Sequence, residues 1–386
     1  MLEALALDDA FLDEDHRLLR QQARRFVERS ITPAVAQWEA DGRIPAEAYL
    51  ELGRAGLLGL SLPVEYGGSG MDTLAAVILS EELTRSGYCG VPGSVVVHTD
   101  MSSMHLVRAG TPEQRARFLP DIVAGKRICA LGVTEPRGGS DLVRLATNAR
   151  RDGGDWLLNG HKLYITNAHI ADLFFVIART DPDAKGAKGC TLFLVERGST
   201  GFSNGARTNK VAQHCSDNGE LFFNDCRVPA ANVIGEVGAG FYTMMAGLEH
   251  ERIVIAAQAS AISEMGLEVT LEWLRSRKAY GGSLWDLQAI RHELAMLTTE
   301  LAAAQTLLYH AAARASAGGD TKLTSAMLKA CLPALTDRIF YKCVQFHGGV
   351  GYMADAPIVR MAQEARIFSI GGGATEPMLD EIAKRL

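Results

Sequence analysis

The stretch 345–376 reads QFHGGVGYMADAPIVRMAQEARIFSIGGGATE and contains two clusters of glycines, at 348–351 and at 371–373. A helix-like run, 358–368, lies between them. Glycine permits a positive φ angle and lets a ligand approach the main chain closely. Two such clusters around one helix predict a groove for a large planar or phosphorylated ligand. The alternative is that each cluster caps a helix and then forms a turn.

The composition of the chain is that of an ordinary globular protein. Its 386 residues are 47% hydrophobic and 22% charged, with a formal net charge of −6. This length accommodates two or three domains, or one large multilayer unit. A nucleic-acid binder normally presents a basic stripe, so the negative net charge argues against that class of protein.

The cysteines and the hydrophobic runs bear on the compartment of the protein. The seven cysteines are scattered, without a Cys-x-x-Cys pair or a Cys/His cluster. They predict reduced, mostly buried thiols rather than a disulfide framework or a metal site. The N-terminal run MLEALALDDAFLDED lacks the basic flank of a signal peptide. No window offers the roughly 18 uninterrupted apolar residues of a membrane span. We therefore expect a cytoplasmic protein.

The spacing of the apolar residues changes twice along the chain. Residues 1–127 have helical spacing. Residues 128–236 contain short apolar or alternating runs separated by turn residues, which predict β-strands, with a hairpin turn at Asn159-Gly160. Helical spacing returns in 237–386. The sequence therefore predicts an α+β protein of three domains in the order α, β, α.

The last segment contains five predicted helices, at 241–265, 267–277, 287–317, 321–346 and 358–368. The run 287–317 is rich in alanine and leucine, which is typical of a buried helix in a bundle. In the first segment, Thr111 and Gln114 have the spacing of a capping box, which predicts the start of a helix.

Glu251 lies on the apolar side of the predicted helix 241–265. Residues three, four and seven positions away share a helical face. For Glu251 this face carries an apolar stripe of Met244, Gly247, Leu248, Val254 and Ile255. A carboxylate on such a face needs a partner, or it has the raised pKa that suits a general base. The pattern leaves open whether Glu251 is a base or pairs with a residue of another helix. Glu249 falls instead near Arg252, which predicts a surface ion pair.

Three further segments carry candidate ligand-binding groups. The loop 132–141, GVTEPRGGSD, combines hydroxyls with free backbone amides and suits a phosphate or a polar ring, or is simply a turn. Tyr164 and Thr166 end a predicted strand, either at a ligand or at an ordinary sheet edge. Arg277 is a phosphate clamp or a cation at a helix C-terminus. His347 has no second histidine at metal-binding spacing, so no metal site is predicted.

Taken together, these segments resemble the acyl-CoA dehydrogenase family of flavoproteins, in unbroken order over almost the whole chain. GVTEPRGGSD, at 132–141, resembles the first signature of that family. The stretch 345–364 is similar to the second signature throughout. RKAYG at 277–281, followed by Gln288, is similar to the Arg-x-x-Phe-Gly…Gln element of the family.

The resemblance implies a fold, a cofactor and partners. The expected fold is an N-terminal α-helical domain (1–127), a central antiparallel β-barrel or sandwich (128–236) and a C-terminal four-helix bundle (237–386). FAD would lie between the β-domain and the bundle. The expected assembly is a homotetramer built as a dimer of dimers. An acyl-CoA would be the substrate, and an electron-transfer flavoprotein would accept the electrons.

The resemblance also implies positions that contact the cofactor. Those beside the isoalloxazine are Leu131, Val133, Thr134, Tyr164 and Thr166. Those at the adenosine diphosphate half, contributed across the subunit interface, are Arg277, Gln288, Gln345 and Gly349. Thr375 and Glu376 end the last glycine motif and contact the cofactor there. Ser140 would lie near the pyrophosphate or CoA, and Arg252 would contact the substrate.

The position of the base varies within the family that this sequence resembles. Many members carry a catalytic glutamate on the last glycine motif, where this chain has Gly372. A minority, including the isovaleryl and long-chain types, carry it on the helix that begins the bundle, directly before an arginine. This chain has Glu251-Arg252 there. The resemblance therefore implies that Glu251 is the base and that the backbone N–H of Gly372 stabilises the enolate-like oxygen.

The implied reaction is the FAD-dependent α,β-dehydrogenation of an acyl-CoA thioester to the trans-2-enoyl-CoA. Glu251 would remove the α-proton, and flavin N5 would accept the β-hydride. Two alternatives remain open on the same scaffold. One is a flavin oxidase or N-hydroxylase that uses oxygen instead of a carrier protein. The other is a non-catalytic flavoprotein that binds acyl-CoA.

Overall fold

Helices make up the first part of the chain. The computed structural model describes residues 7–8, 10–139, 145–184, 186 and 188–386. The helices before the sheet are α1 (Glu14–Phe26), α2 (Val35–Asp41), α3 (Ala46–Arg54), α4 (Thr73–Thr84), α5 (Gly90–Val96), α6 (Met104–Ala109) and α7 (Pro112–Val123). Short π-helical turns, Val27–Ile31 and Val97–Ser102, extend α1 and α5. The almost completely buried α4 packs against α1 and against two helices of the C-terminal part.

Side chains cap several of these helices where the sequence places Asp or Thr. Asp72 accepts the Ala75 N–H at the start of α4. At the start of α7, Thr111 accepts the Gln114 N–H, and the Gln114 side chain accepts the Thr111 N–H. The predicted capping box is therefore confirmed. Such caps satisfy amides that the first helical turn leaves without a partner.

The described residues of the middle part form a β-sheet of eight strands. They are β1 (Cys129–Gly132), β2 (Asn148–Asp152), β3 (Asp155–Thr166), β4 (Leu173–Arg179), β5 (Cys190–Glu196), β6 (Phe202–Arg207), β7 (Asn218–Pro229) and β8 (Val233–Ile234). The order is β6-β7-β3-β2-β4-β5-β8, with β1 beside β4. Most pairs are antiparallel, as predicted, but β4 pairs in parallel with both β1 and β2.

The central strand β4 is buried on both of its faces. Phe174 and Val176 belong to the main hydrophobic core, which also includes the helices. Phe175 and Ile177 point the other way, into a second core beneath α6 and α7. Successive strand residues face opposite sides of a sheet. The continuous apolar run of β4 therefore joins the N-terminal helices to the sheet on both faces.

The predicted hairpin turn at Asn159-Gly160 is wrong. Both residues lie inside β3, where the register with β7 shifts between Leu158 and Gly160, as in a β-bulge. A β-carbon on Gly160 would overlap Thr147, so glycine is required there by close packing. The turn that joins β2 to β3 contains Gly153, at φ +59.

The last part of the chain is helical, as predicted. Its helices are α8 (Gly240–Met245), α9 (Leu248–Ser276), α10 (Gln288–Ser316), α11 (Lys322–Phe346), α12 (Pro357–Ala365) and α13 (Thr375–Ala383). The three long helices α9, α10 and α11 pack against one another, and α12 packs against α9 and α11. A small antiparallel hairpin separates α9 from α10. Its two strands, β9 (Lys278–Ala279) and β10 (Gly282–Ser283), have two residues each.

The break between the first two of these helices differs from the expectation. The sequence predicted helices at 241–265 and 267–277. In the structure the helix is instead interrupted at 246–247, and α9 runs through Gly266. A β-carbon on Gly266 would come within 2.8 Å of the Phe340 ring. Gly266 therefore marks a close approach of α9 to α11 and not a helix end.

One helical stretch of the described residues, Gly240–Ser276, is long and apolar enough to match a membrane span in length and composition. However, 78% of its most apolar window is buried inside the protein. This burial is what the core helix of a soluble protein shows.

Candidate active site

The candidate site is built around the first turn of α9. The chain leaves the sheet at β8, forms α8 against β5 and then starts α9 at Leu248. This path places Glu251 in the interior, where its side chain is only 3% exposed. Its Oε1 atom has no hydrogen-bond partner among the described residues. A carboxylate held in this way is available to a ligand.

Burial raises the pKa of Glu251 to about 7. The cations of Arg108 and Arg252 oppose this change, whereas the negative charge of Asp100 adds to it. Because desolvation disfavours the charged form of a carboxyl group, a raised pKa is the expected direction. A carboxylate with a pKa near neutrality can take up a proton and release it again under physiological conditions.

Glu249 is engaged elsewhere. Its Oε2 accepts a hydrogen bond of 2.8 Å from the Thr321 hydroxyl and one of 3.3 Å from the Thr321 N–H. The predicted surface ion pair with Arg252 is thus replaced by a contact at the start of α11. The sequence could not show this partner, because Thr321 is remote along the chain. Of the two neighbouring glutamates, Glu251 is the one with a buried oxygen that lacks a partner among the described residues.

The second glycine cluster of the sequence faces the same helix. Gly372 has a φ of +64, and a β-carbon there would overlap Ile255 Cδ1, one turn beyond Glu251 on α9. The Gly372 N–H donates no hydrogen bond within the described part of the chain. The structure therefore brings an unpaired backbone donor close to the helical face that carries Glu251.

Lys329 of α11 holds this glycine loop in place, a role that the sequence analysis missed. Its Nζ donates to the carbonyl oxygens of Phe368, at 2.5 Å, and Gly373, at 2.7 Å. Burial, together with the nearby charge of Arg252, lowers the pKa of Lys329 to about 8. A lysine within the apolar run of this predicted helix was a signal of an unusual buried charge. Its acceptors are backbone atoms, which no sequence pattern reveals.

The loop after β1 and the second half of β3 form another surface, which we call the platform. Lys162, fully buried, donates to the Val133 carbonyl at 3.2 Å and to Glu135 Oε1 at 2.7 Å. The Leu163 N–H donates to the Thr134 carbonyl at 2.9 Å. These bonds fix the loop after β1 beside the far half of β3. Val133 and Thr134 thereby lie next to the following residue of β3, Tyr164.

Tyr164 is held in an unusual way for a strand residue. Its φ is +60 and its side chain is 61% exposed. A bulky residue at positive φ is a backbone outlier, and such strain is typical of binding sites. An exposed aromatic ring beside the polar loop of β1 fits a flat ligand. Leu131 and Thr166 lie on the same two strands, both partly buried.

The other predicted cofactor residues lie at the opposite end of the bundle. Arg277 follows the last turn of α9 and lies over the Trp273 ring, which stacks on His347. Gln345 lies in the last turn of α11, and the exposed Gly349 follows that helix. On a helix with a rise of 1.5 Å per residue, Arg277 lies about 39 Å from Glu251. Gln288, exposed, is the first residue of α10 at this same end.

The remaining predicted residues have simpler positions. Thr375 and Glu376 form the first turn of α13, directly after the glycine loop. Arg252 lies next to Glu251, partly buried, where the charges of Glu381, Glu251 and Glu249 attract its guanidinium. Ser140 lies outside the described residues.

Comparison with known proteins places this site in a family. Models of the N-terminal, middle and C-terminal domains of acyl-CoA dehydrogenases match residues 13–126, 130–226 and 238–386. The long-chain specific acyl-CoA dehydrogenase of Mus musculus, a mitochondrial protein, is 37% identical over 96% of this chain and 86% of its own length. The chain belongs to the acyl-CoA dehydrogenase family. The mitochondrial isovaleryl-CoA dehydrogenase of Pongo abelii is 34% identical over 96% of this chain and 89% of its own.

Solved structures of acyl-CoA dehydrogenases have the same fold as this chain. The acyl-CoA dehydrogenase of Geobacillus kaustophilus superposes with a TM-score of 0.95 at 34% identity, covering 97% of this chain and 98% of its own. The glutaryl-CoA dehydrogenase of Mycobacterium smegmatis, in complex with FADH2, gives 0.91 at 29% identity, covering 98% and 95%.

The chain is therefore an enzyme, an acyl-CoA dehydrogenase that uses FAD. The residues present fit that cofactor, because the strained and exposed Tyr164 offers a flat face beside the β1 loop. The expected three-part architecture, with a β-sheet between two helical parts, is confirmed.

Proposed function

We propose that Glu251 is the base of the dehydrogenation and that the Gly372 N–H is the donor to the thioester oxygen. One observation carries the proposal. Glu251 is buried, its Oε1 has no partner among the described residues, and the unpaired Gly372 amide lies near the same face of α9. The raised pKa of Glu251 supports the role, since a base near neutrality is effective at physiological pH.

The reaction divides between these two groups and the cofactor. Glu251 takes the α-proton of the acyl-CoA, and the pair of electrons left on the α-carbon forms the new double bond to the β-carbon. Negative charge develops on the thioester oxygen, where a hydrogen bond from the Gly372 N–H stabilises it. Bound FAD supplies the acceptor for the hydride that leaves the β-carbon. The product is the trans-2-enoyl-CoA.

The other cofactor contacts are also part of the proposal. Leu131, Val133, Thr134, Tyr164 and Thr166 would hold the flavin ring. Thr375 and Glu376 would lie beside it, and Ser140 near the pyrophosphate or CoA. Arg252 would contact the substrate. The bonds from Lys162 and Leu163 to the β1 loop support the first group, because they bring the two strands of the platform together.

Replacement of Glu251 by glutamine tests the base. The amide keeps the shape of the side chain but cannot accept the α-proton. We expect Glu251→Gln to bind FAD normally and to lose about 10²–10⁴-fold in the rate of flavin reduction by acyl-CoA, because this is what a general base contributes. The measurement is anaerobic mixing of enzyme and acyl-CoA, followed by the visible absorbance of the flavin.

Glu249→Gln is the matched control for this experiment. It makes the same chemical change two residues away, on a glutamate whose oxygen bonds to Thr321. We expect it to reduce the flavin at close to the wild-type rate. Rapid reduction in Glu251→Gln would show that Glu251 is not the base.

The assembly is proposed from the length of α9. The resemblance implies a homotetramer, with Arg277, Gln288, Gln345 and Gly349 at the adenosine diphosphate half of FAD. Arg277 and Glu251 are about 39 Å apart on one straight helix. This separation supports the view that the two ends of α9 belong to cofactor sites of different subunits.

The domain boundaries, the electron acceptor and the compartment are further parts of the proposal. We place the domains at 1–127, 128–236 and 237–386. These bounds agree with the end of the last helix before the sheet, at Val123, and the end of the last strand of that sheet, at Ile234. The reduced cofactor would pass its electrons to an electron-transfer flavoprotein. The cysteines of the described chain are free, and all but Cys331 are buried, which supports a reducing compartment such as the cytoplasm.

A further inference from the structure

A glycine beside the base leaves a space that two charged side chains share. A β-carbon built on Gly247 would overlap Arg108 Nη1 and would lie 3.1 Å from Glu251 Oε1. Gly247 precedes α9, and its carbonyl oxygen accepts the Glu251 N–H at 3.2 Å. The guanidinium on α6 and the carboxylate on α9 therefore both lie close to a residue that has no side chain.

Both atoms that meet there are unsatisfied. Arg108 Nη1 and Glu251 Oε1 are buried, and neither has a hydrogen-bond partner among the described residues. Buried polar groups are almost always hydrogen-bonded, so two orphaned atoms of opposite charge in one place need an explanation. Because no direct hydrogen bond joins them, one bridging polar atom, such as a water oxygen, would satisfy both.

We propose that Arg108 is a positioning residue for Glu251. Arg108 acts on the carboxylate across a bridging water, next to Gly247, which has no side chain. It orients the free carboxylate oxygen and favours its charged form. This inference rests on the proposed role of Glu251 as the base. Arg108 itself need not contact the acyl-CoA or the cofactor.

Other charged groups face Glu251 from the surrounding elements. Asp100, in the turn after α5, is bound by His250 at 2.9 Å and by the Thr99 hydroxyl at 2.7 Å. Arg252 follows Glu251 on α9 and is shared with Glu381 and Glu249. On the side of the glycine loop, Lys329 is committed to two carbonyls. Among these cations, Arg108 has the largest influence on Glu251.

Three variants of the holoenzyme test the proposal. Arg108→Gln removes the charge, Arg108→Lys keeps it, and Gly247→Ala fills the space with a methyl group and displaces the guanidinium. We expect the acidic limb of the kcat profile to move up by about one pH unit in Arg108→Gln, because an opposite charge within about 4–6 Å favours the ionised carboxylate. Flavin reduction then falls about tenfold at pH 6 and stays near the wild-type rate at pH 9.

The other two variants separate charge from structure. Arg108→Lys should keep the limb close to its wild-type position, and Gly247→Ala should move the limb in the same direction as Arg108→Gln. Arg54→Gln is the control, since it removes one charge from the exposed end of α3. If Arg108→Gln does not fold, Gly247→Ala decides alone. An unchanged profile, or an equal loss of rate at every pH, overturns the proposal.

A second readout does not depend on turnover. The midpoint of thermal unfolding is measured against pH for Arg108→Gln and for the Arg108→Gln/Glu251→Gln double variant. The difference between these two midpoints reports the ionisation of Glu251. The pH at which this difference changes should lie about one unit above the pH at which the midpoints of the wild type and Glu251→Gln diverge. If Glu251→Gln retains activity, the proposed base is wrong, but this readout still shows whether Arg108 and Glu251 are coupled.

Discussion

Glu251 is a residue whose burial the sequence revealed, because the evidence for it is local. The apolar neighbours three and four positions away lie on the same helix, and helical periodicity makes their positions predictable. Arg108 and Lys329 were missed because their contacts come from other elements. Arg108 belongs to α6 and Lys329 to α11, and only packing brings them to α9 and to the glycine loop.

The raised pKa of Glu251 makes the stability of the protein depend on pH. The carboxyl ionises near 4.5 in the unfolded chain and near 7 in the folded protein. Between these values the folded state binds more protons than the unfolded state, so stability falls as pH rises from about 4.5 to about 7. Above pH 7 the loss amounts to about 3 kcal/mol, because a pKa difference of one between the two states is worth about 1.4 kcal/mol.

Glu251→Gln should remove this loss, because the amide does not ionise. We expect the variant to gain stability over the wild type as pH rises through this window, and to match it at the acidic end. Denaturant unfolding at several pH values gives the measurement, with Glu249→Gln as control. A difference in free energy that is the same at every pH would contradict the assignment of a buried, titrating Glu251.

At the scale of elements, the sequence located the helices better than the turns. The capping box at Thr111 was found because both partners are three residues apart. The bulge at Gly160 was mistaken for a turn, because Asn-Gly favours both positive φ and tight turns. What decides between them is Thr147, directly before the neighbouring strand β2, whose packing leaves no room for a side chain at Gly160.

The glycine loop after α12 is an element that depends on one buried lysine. Lys329→Met keeps the aliphatic stem but removes both bonds to the Phe368 and Gly373 carbonyls. We expect kcat to fall by about tenfold with little change in KM, because a misplaced oxyanion donor affects the transition state more than the bound substrate. Steady-state kinetics with an acyl-CoA give both constants.

Lys322→Met is the control for this prediction. Lys322 is exposed at the start of the same helix, so its loss tests the change of charge and residue type alone. A Lys329→Met enzyme with wild-type kcat would show that the loop keeps its position without the lysine.

At the scale of the whole molecule, α9 separates two groups of predicted cofactor residues. Glu251 lies in its first turn and Arg277 directly after its last. The sequence predicted both groups from motifs, but it did not show their separation, because it divided this helix at Gly266. The continuous helix is what makes two ends of one subunit too distant to serve one compact site.

A mixing experiment tests the proposal that each site uses both ends of α9 from different subunits. Glu251→Gln and Arg277→Ala are each expected to be impaired, the second through weaker FAD binding. In a mixed dimer one site carries both defects and the other carries neither. Co-expression should therefore restore about a quarter of the wild-type activity, because random pairing gives half mixed dimers with one intact site of two.

The measurement is turnover per subunit in the co-expressed sample, compared with each variant alone and with a mixture of the separately purified variants. Activity no higher than the average of the two variants would place both residues in the site of a single subunit.

Gly372 limits how this enzyme can diverge. A glutamate introduced there would have to adopt a positive φ and would collide with Ile255. Moving the base from helix to loop thus requires at least one compensating change on α9, and each single step would leave a protein with two carboxylates or none. Such a lineage is expected to keep its inherited arrangement while the acyl pocket diversifies around it.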